Sequence, residues 1–259
     1  MSGSLADRTA FVTGATRGVG RAIAEAFALE GAALVVAGRD PEALEAVEAD
    51  CRKLGAPQVR TSRFDVTDES AVSEAVAGAV AELGAIDVLV NNAGIAESAK
   101  FTDVTLDQWR RIMAVDVEGP FLLTRAVLPG MLERRRGTVV SVASVASRIG
   151  LPYVAAYTAA KHALLGMTRS LAAEYARSGV TFNCVCPFYI DTPMTETTVA
   201  SISAHTGRNR EQSLAALLNP QGRLTDPAEI AAMCVLLASD VGRGINGQGI
   251  NIDGGRVQA

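Results

Sequence analysis

The sequence predicts an α/β protein built on a doubly wound parallel sheet with helices on both faces. Between Thr9 and Asp87, short β-branched or apolar runs alternate with longer segments of helical periodicity. Such alternation is typical of parallel strands joined by right-handed crossovers. No linker, repeat or shift in composition divides the 259 residues, so we expect a single domain spanning residues 1–259.

The individual elements follow from the apolar runs and from the residues that cap helices. Strands are predicted at Thr9–Thr13, Ala33–Ala37, Gln58–Phe64, Ile86–Val90 and Thr138–Ala143, and helices at Gly18–Leu29, Pro41–Leu54, Glu69–Leu83 and Val154–Ala176. Two helix starts carry an aspartate directly before a proline, at Asp40-Pro41 and Asp226-Pro227. Aspartate accepts hydrogen bonds from free backbone N–H groups there, and proline suits the first helical position.

The composition argues against several classes of protein. Hydrophobic residues make up 49% of the chain and charged residues 20%, as in a compact globular protein. The formal net charge of −4 gives no general attraction to nucleic acid or to an anionic membrane. The sequence has no apolar signal core after Met1 and no uninterrupted apolar run of about 18 residues. We therefore expect a cytoplasmic protein.

The histidines and cysteines predict no metal site. The only two histidines, His162 and His205, are far apart in the sequence and away from the four cysteines. No C-x-x-C pair is present, and Cys184 and Cys186 fall within an apolar strand pattern that places both thiols on one face. We expect buried, reduced thiols.

Tyr157 and Lys161 form the pattern Y-x-x-x-K in an Ala-rich helical segment. A spacing of four places both side chains on one helix face, about one turn apart. The ammonium favours the phenolate and is expected to lower the tyrosine pKa towards the working range of an acid or base. Ser144, after the strand Thr138–Ala143, can add a hydroxyl to the same volume. A carbonyl oxygen bound by Ser144 and Tyr157 would be ready to accept a hydride at its carbon. By itself the Y-x-x-x-K pair is common in helices.

A glycine-rich turn joins the first strand to the first helix. With the spacing G-x-x-x-G-x-G, it contains Gly14, Thr16, Arg17, Gly18, Val19 and Gly20. Glycines let the backbone approach a pyrophosphate, whose charge is stabilised by the free N–H groups and the dipole of the helix N-terminus. The turn lacks the G-K-[ST] ending of a P-loop. It predicts a dinucleotide site, and the alternative is a turn without a ligand.

The end of the second strand indicates which dinucleotide is bound. About twenty residues after the glycine turn, an acid would favour a free ribose 2′-hydroxyl. This chain has Arg39 there, and the turn adds Arg17. Two guanidinium groups suit a 2′-phosphate, so we expect NADP, with NAD as the alternative. The competing interpretation is a surface arginine that pairs with Asp40 or Glu42.

Two further strand ends offer cofactor contacts. Asp65 and Val66 can meet the adenine edge after the third strand, and Asn92, Ala93 and Gly94 can form a loop beneath the cofactor after the fourth. Either segment can equally be ordinary turn chemistry.

Together these motifs resemble the short-chain dehydrogenase/reductase family over essentially the whole chain. The matching motifs are T-G-x-x-x-G-x-G at 13–20, N-N-A-G at 91–94, Ser144, Y-x-x-x-K at 157–161 and Asp253-Gly254-Gly255. The resemblance implies a Rossmann-type sheet of about seven strands, a nicotinamide cofactor and Ser144, Tyr157 and Lys161 as catalytic groups. It also assigns to the cofactor site Tyr157, Lys161, Pro187, Ile190 and Thr192. Three residues between Tyr157 and Lys161 resemble the carbonyl-reducing branch rather than the enoyl reductases.

Two positions depart from the family pattern. Asp116 stands where the family usually has an asparagine that anchors a water leading to the lysine. We include Asp116 among the catalytic residues and expect its charge to raise the Lys161 pKa. Phe188 replaces the usual glycine after Pro187 and places a side chain where nicotinamide and substrate should meet.

The segment from Phe188 to Asn219 breaks the alternation and is expected to be an irregular substrate lid. Substrate contacts are expected from Ser144, Tyr153, Tyr157, Phe188, Tyr189 and Met194. His205, Arg208 and Arg210 can bind phosphates of a coenzyme A or carrier-protein arm, or can simply lie in water.

These observations predict an NADP(H)-dependent enzyme that interconverts a ketone and a secondary alcohol. The leading substrate is a 3-oxoacyl or 3-hydroxyacyl thioester, and the alternative is a small or polyketide-type hydrophobic ketone. A hypothesis of another class is a non-catalytic nucleotide sensor. The resemblance to the family implies a homotetramer or homodimer whose interface is formed by the helix around 117–133 and by the Tyr157 helix. Both helices are apolar on more than one face, as expected when one face packs on the core and another on a partner.

Overall fold

The structure is a computed structural model that describes residues 3–258. Seven parallel strands form one sheet in the order β3-β2-β1-β4-β5-β6-β7. The strands are β1 Thr9–Thr13, β2 Ala33–Gly38, β3 Val59–Arg63, β4 Val88–Asn91, β5 Gly137–Val142, β6 Val180–Pro187 and β7 Gly249–Ile252. The strand order reverses between β1 and β4, and ligands of such sheets bind beyond the carboxyl ends of the strands at this reversal.

Nine α-helices of the described chain connect and cover these strands. They are α1 Gly18–Leu29, α2 Pro41–Lys53, α3 Glu69–Leu83, α4 Leu106–Met113, α5 Gly119–Glu133, α6 Ala155–Glu174, α7 Pro193–Thr206, α8 Arg210–Ala215 and α9 Pro227–Ala238. A π-helical turn, Ala114–Glu118, joins α4 to α5, and short 3-10 turns occupy Phe101–Asp103, Val145–Ser147 and Asp240–Gly244. Within residues 3–258, none of the helices has the length and apolar character needed to span a membrane.

The predicted elements agree closely with the structure in the first half of the chain. β1, α1 and α3 have the predicted bounds. Other ends shift by one or two residues, and β4 begins at Val88 rather than Ile86. Both aspartate caps are confirmed, because Asp40 accepts a hydrogen bond from the N–H of Ala43 and Asp226 forms a capping box with Glu229.

Both faces of the sheet are buried, which is why inner strands such as β1 and β2 are almost continuously apolar, whereas the edge strand β3 carries polar residues. Leu34 and Val36 of β2 pack in the cluster that contains residues of α1, α2 and α9. Val35 between them points to the other face and packs in the cluster formed with α3 and α5. The strand carboxyl ends therefore share one rigid edge, which carries the candidate site.

The segment 188–219 is not irregular, contrary to the prediction. It forms α7 and α8, with Gly207 in the left-handed conformation (φ 70°) between them. The helical pattern is weak because α7 is rich in Thr and Ser and buries only Thr195 and Val199 among its residues. The sequence signals that could have found these helices are Thr192-Pro193 at the start of α7 and the Asn209 capping box of α8.

Candidate active site

Four side chains predicted to be catalytic come together beyond the carboxyl ends of β4 and β5. Ser144 follows β5, Tyr157 and Lys161 lie on α6, and Asp116 lies in the π-helical turn. The Lys161 Nζ lies 3.1 Å from Asp116 Oδ2 and 5.4 Å from the centre of the Tyr157 ring. Lys161 therefore lies in contact with both an acid and a phenol.

Asp116 is held in a fully buried position beside Lys161. Its Oδ1 accepts a hydrogen bond of 2.8 Å from the N–H of Ile95, and its side chain is 0% exposed. A Cβ at Gly94 would lie 3.3 Å from Asp116 Oδ2 and 3.4 Å from Lys161 Nζ, so a residue without a side chain suits this contact. The carboxylate thus contacts the lysine directly.

The pKa values of Tyr157 and Lys161 are both raised. Burial raises the pKa of Tyr157 above its ordinary 10.0, and this effect is larger than the lowering caused by Lys161. Asp116 raises the Tyr157 pKa further. Burial lowers the pKa of Lys161, but Asp116 and Tyr157 outweigh burial and hold it above 10.5. The expected effect of Asp116 on Lys161 is confirmed. The expected net lowering at Tyr157 is wrong because loss of solvent around the partly buried ring disfavours a phenolate.

Ser144 is positioned by the turn that follows β5. Its side chain is 8% exposed, and its Oγ accepts a hydrogen bond of 3.1 Å from the N–H of Ala146. Ser144 lies close enough to Tyr157 to lower the pKa of its phenol. The two hydroxyls thus face the same volume. One further hydrogen bond, of 3.2 Å from Lys161 Nζ to the carbonyl of Val142, fixes the lysine against the end of β5.

The glycine turn fits a pyrophosphate. Gly14 and Gly18 adopt positive φ angles of 62° and 55°, a region that favours glycine. A Cβ at Gly20 would lie only 2.2 Å from the carbonyl oxygen of Gly14. The Nδ2 of Asn92 donates to the carbonyls of Thr13 and Gly14, at 2.9 and 3.1 Å. Asn92 therefore uses its amide to support the turn.

The N-terminus of α1 has no internal cap. Arg17 occupies the cap position without a side-chain hydrogen bond, and the first turn contains no acid. A Cβ at Gly18 would lie 3.3 Å from Cγ2 of Thr192, so Thr192 borders the same turn from the segment after β6. Free N–H groups, the helix dipole and a glycine cradle together fit an anionic dinucleotide.

The adenosine end of the predicted site contains an ion pair. Arg39 Nη1 lies 3.6 Å from Asp65 Oδ2, and neither Asp40 nor Glu42 is the partner. Arg39 and Arg17 are exposed. The Val66 side chain is buried, and it leaves no room for a Cβ at Gly119, which would lie 2.9 Å from its Cγ2. Asp65 thus already pairs with the Arg39 guanidinium, which a 2′-phosphate would have to share with it.

The residues predicted to contact substrate border the same edge. Tyr153 is 62% exposed and Met194 49%, and Tyr153 has a positive φ of 67°, which is strained for an aromatic residue. Phe188 and Tyr189 are half-buried in edge contact, with ring centres 4.8 Å apart. Burial raises the pKa of Tyr189, and Tyr157 raises it by a smaller amount. Tyr189 therefore lies close enough to Tyr157 to interact with it electrostatically.

The segment between these aromatic residues and α7 is anchored to the sheet. Pro187 ends β6 opposite Ile252, and Ile190 packs against the core while its carbonyl accepts a 2.6 Å hydrogen bond from Thr195 Oγ1. The site edge is therefore rigid up to the start of α7.

The basic residues of the predicted lid do not form a cluster facing the site. Arg210 Nη2 pairs with Glu196 Oε1 at 2.7 Å, with both side chains largely exposed. His205 and Arg208 are also exposed. An intramolecular acid therefore already neutralises one of the two arginines that were expected to bind phosphates.

Comparisons with known proteins agree with this geometry. A family model described as Enoyl-(Acyl carrier protein) reductase matches residues 14–256. A 2-(R)-hydroxypropyl-CoM dehydrogenase of Xanthobacter autotrophicus is 39% identical over 250 residues, 95% of this chain and 97% of the relative. A D-beta-hydroxybutyrate dehydrogenase of Rhizobium meliloti is 32% identical over 252 residues, 96% of this chain and 98% of that protein. A solved structure of an actinorhodin polyketide ketoreductase variant with NADPH matches with a TM-score of 0.94 at 32% identity and covers 99% of each chain.

The chain belongs to the short-chain dehydrogenase/reductase family. The predicted family, the seven-stranded Rossmann-type fold and the enzyme class, an oxidoreductase acting on CH–OH and C=O groups, are confirmed. The family model carries the name of enoyl reductases, whereas these relatives are named as dehydrogenases and a ketoreductase. Their names agree with the spacing of three residues between Tyr157 and Lys161.

Sequence reasoning missed three supports of the site. The N–H of Ile95 and the carbonyl of Val142 fix Asp116 and Lys161, but backbone groups leave no sequence signal. Thr13 Oγ1 donates to the Val90 carbonyl and accepts from the N–H of Asn92, which ties β1 to β4. A threonine at the start of the T-G-x-x-x-G-x-G motif was the available signal.

Asp116→Asn is expected to retain activity but to move the basic limb of the reductive pH profile to lower pH. Asp116 raises the pKa of both Tyr157 and Lys161, so its removal lowers both, and a phenol that donates a proton must still carry it. The check is the pH dependence of kcat/KM for NADPH-dependent ketone reduction.

Asp87→Asn is the matched control for this variant. Asp87 is also buried, and its Oδ2 accepts a 3.1 Å hydrogen bond from the N–H of Thr9 at the amino end of the sheet. Its profile should coincide with that of the wild type. If the Asp116→Asn profile coincides as well, Asp116 is not coupled to the reacting groups.

Proposed function

We propose that this chain uses Ser144, Tyr157 and Lys161 to interconvert a ketone and a secondary alcohol with NADP(H). The observation that carries the proposal is the contact of Lys161 Nζ with the Tyr157 ring at 5.4 Å, together with Ser144 close enough to act on the pKa of Tyr157. The intact set argues against the alternative of a non-catalytic nucleotide sensor. A sensor would need the glycine turn but not a serine, phenol and ammonium in one volume.

The raised pKa of Tyr157 suits a proton donor. A bound nicotinamide supplies the hydride in reduction and accepts it in oxidation. Ser144 donates a hydrogen bond to the carbonyl oxygen and polarises it. Tyr157 remains protonated at neutral pH because its pKa lies above 10.0, and it gives its proton to the same oxygen. The Lys161 ammonium then stabilises the phenolate that is left, a charge that burial alone would disfavour.

Lys161 stays charged throughout the physiological range. Its pKa is higher in the folded chain than in a free lysine. The pair with Asp116 therefore stabilises the fold fully at neutral pH, and this contribution is lost only as the pH rises through the raised pKa. A permanent ammonium beside Tyr157 is what the proposed proton transfer requires.

The cofactor is proposed to be NADP(H), with NAD(H) as the alternative. Arg39 and Arg17 border the adenosine end as exposed guanidinium groups, and NADPH is the cofactor named with the actinorhodin polyketide ketoreductase. Arg39 forms an ion pair with Asp65, with 3.6 Å between Nη1 and Oδ2. A 2′-phosphate would replace or share that weak exposed pair.

The proposed substrate is a 3-oxoacyl or 3-hydroxyacyl thioester, with a small or polyketide-type hydrophobic ketone as the alternative. Phe188, Tyr189 and the exposed Met194 offer apolar contacts to either substrate. The polyketide ketoreductase among the relatives favours the alternative. For the thioester, Arg208 remains as an exposed cation of the lid, whereas Arg210 is paired with Glu196.

A homotetramer or homodimer remains a prediction. Its proposed surfaces are α5 and α6, as the sequence indicated. On α5, Phe121 is 45% exposed, and Arg125 stacks on its ring at 5.0 Å. An aromatic residue left half-exposed on a helix is consistent with a partner surface.

Tyr157→Phe is expected to remove at least 99% of ketone reduction, a loss of about 10²-fold or more as is usual for a catalytic acid. Only the hydroxyl is lost, so unfolding temperature and the dissociation constant for NADPH should stay close to those of the wild type. The measurement is steady-state NADPH oxidation with a panel of ketones, with NADPH binding followed by calorimetry.

Tyr175→Phe provides the matched control for this loss. Tyr175 directly follows α6 and packs against Phe182, with ring centres 6.1 Å apart, at the opposite end of this helix from Tyr157. It should keep wild-type turnover. Near-native turnover by Tyr157→Phe would reject Tyr157 as the proton donor.

Arg39→Asp is expected to reverse cofactor choice by about tenfold or more in the ratio of kcat/KM for NADPH and NADH. An acid repels the 2′-phosphate and can accept from a ribose hydroxyl. Arg39→Gln separates the loss of the cation from the gain of the acid and should show a smaller change in the same direction. An unchanged ratio in both variants would remove Arg39 as the discriminating residue.

A further inference from the structure

The chain after β7 brings a cation to the aromatic pair beside the site. Arg256 lies with its guanidinium carbon 5.6 Å above the centre of the Phe188 ring. Phe188 in turn touches Tyr189, which lies within electrostatic range of Tyr157. Two aromatic rings, Phe188 and Tyr189, therefore connect Arg256 to the proposed proton donor, although Arg256 is distant from it in the sequence.

Hydrogen bonds hold the backbone around Arg256 in a defined turn. Asp253 is buried, and its two oxygens accept hydrogen bonds from the N–H groups of Gly255 and Val257, at 2.9 and 2.8 Å. Gly254 and Gly255 have positive φ angles of 63° and 89°. This turn is the closing Asp253-Gly254-Gly255 motif, so the motif delivers Arg256 to the Phe188 ring.

The same turn also touches the segment that follows α8. A Cβ at Gly254 would lie 2.7 Å from Cγ of Asn219, just beyond α8. Phe188 is tied to the strand that precedes the turn, because its N–H donates to the carbonyl of Ile252 at 3.2 Å. Phe188 at the start of the predicted lid and Asn219 at its end thus both lie beside the turn that carries Arg256.

The charge of Arg256 is not neutralised by the part of the chain that the structure describes. Among residues 3–258, no carboxylate lies within 4.0 Å of its guanidinium, and its contact is the Phe188 ring. Among the basic lid residues considered for phosphate binding, Arg210 already pairs with Glu196. A guanidinium that stacks on an aromatic face keeps its N–H edge free for a bidentate oxyanion.

We propose that Arg256 binds an oxyanion of the substrate, a carboxylate or the phosphate of a thioester arm, remote from the reacting carbon. This specificity role rests on the proposed function, since it needs a substrate held at Ser144 and Tyr157. Phe188 positions the guanidinium, and the same ring closes the apolar side of the site. Phe188, which replaces the family's usual glycine, thereby provides the aromatic ring on which Arg256 stacks.

The test is calorimetric binding of three alcohols to the full chain in the presence of NADPH, because the reduced cofactor cannot accept a hydride from an alcohol and no turnover occurs. The ligands are 3-hydroxybutyrate, 3-hydroxybutyryl-CoA and the neutral methyl 3-hydroxybutyrate. Arg256→Gln should weaken one or both anionic ligands by about tenfold, as expected for a lost charge-assisted contact. It should leave the methyl ester within about twofold, and Arg256→Lys should recover part of the lost affinity. Weaker binding of 3-hydroxybutyrate would identify a carboxylate as the group bound by Arg256, and weaker binding of 3-hydroxybutyryl-CoA alone would identify a phosphate.

Arg177→Gln is the matched control, because Arg177 is an exposed arginine of the α6–β6 connection, before the amino end of β6 and outside the Phe188 contact. It should leave all three affinities unchanged. Equal weakening of the neutral and anionic ligands by Arg256→Gln, no weakening of any, or no anionic ligand binding to the wild type would overturn the proposal. Calorimetry needs no turnover, whereas failure of the proposed function would appear as absence of NADPH-dependent ketone reduction by the wild type.

Discussion

The ion pair between Lys161 and Asp116 is the interaction on which the proposed site depends. A buried ammonium is costly unless an acid and hydrogen-bond acceptors surround it. Asp116 supplies the acid at 3.1 Å and the Val142 carbonyl an acceptor at 3.2 Å. With its charge thus secured, Lys161 can act on Tyr157 in an environment where burial would otherwise keep the phenol from releasing its proton.

The sheet explains why these groups meet. Parallel strands bring their carboxyl ends to one edge, and the order reverses between β1 and β4 at that edge. The glycine turn after β1 and Ser144 after β5 are therefore delivered to one crevice from different parts of the chain. Asn92 joins the two halves by donating to the carbonyls of Thr13 and Gly14.

Local signals in the sequence predicted most of the fold and the central residues. The Asp40 cap and the four-residue spacing of Tyr157 and Lys161 depend on neighbouring residues alone, so they were readable. The helices within 188–219 were missed because their few buried residues make no stripe. The position of Arg256 follows from the pairing of β6 with β7, and the raised Tyr157 pKa follows from burial. Neither property can be read from adjacent residues.

The most direct test of this account is a carbon-13 NMR titration of the Tyr157 phenol in the unliganded protein, with Tyr157→Phe used to assign its signal among the 4 tyrosines. The phenol should have a pKa above the ordinary 10.0 in the wild type and a lower pKa in Asp116→Asn, because the two groups titrate as a coupled set. A wild-type pKa below 10.0, or an equal or higher pKa in the variant, would show that Asp116 does not act on Tyr157 as described.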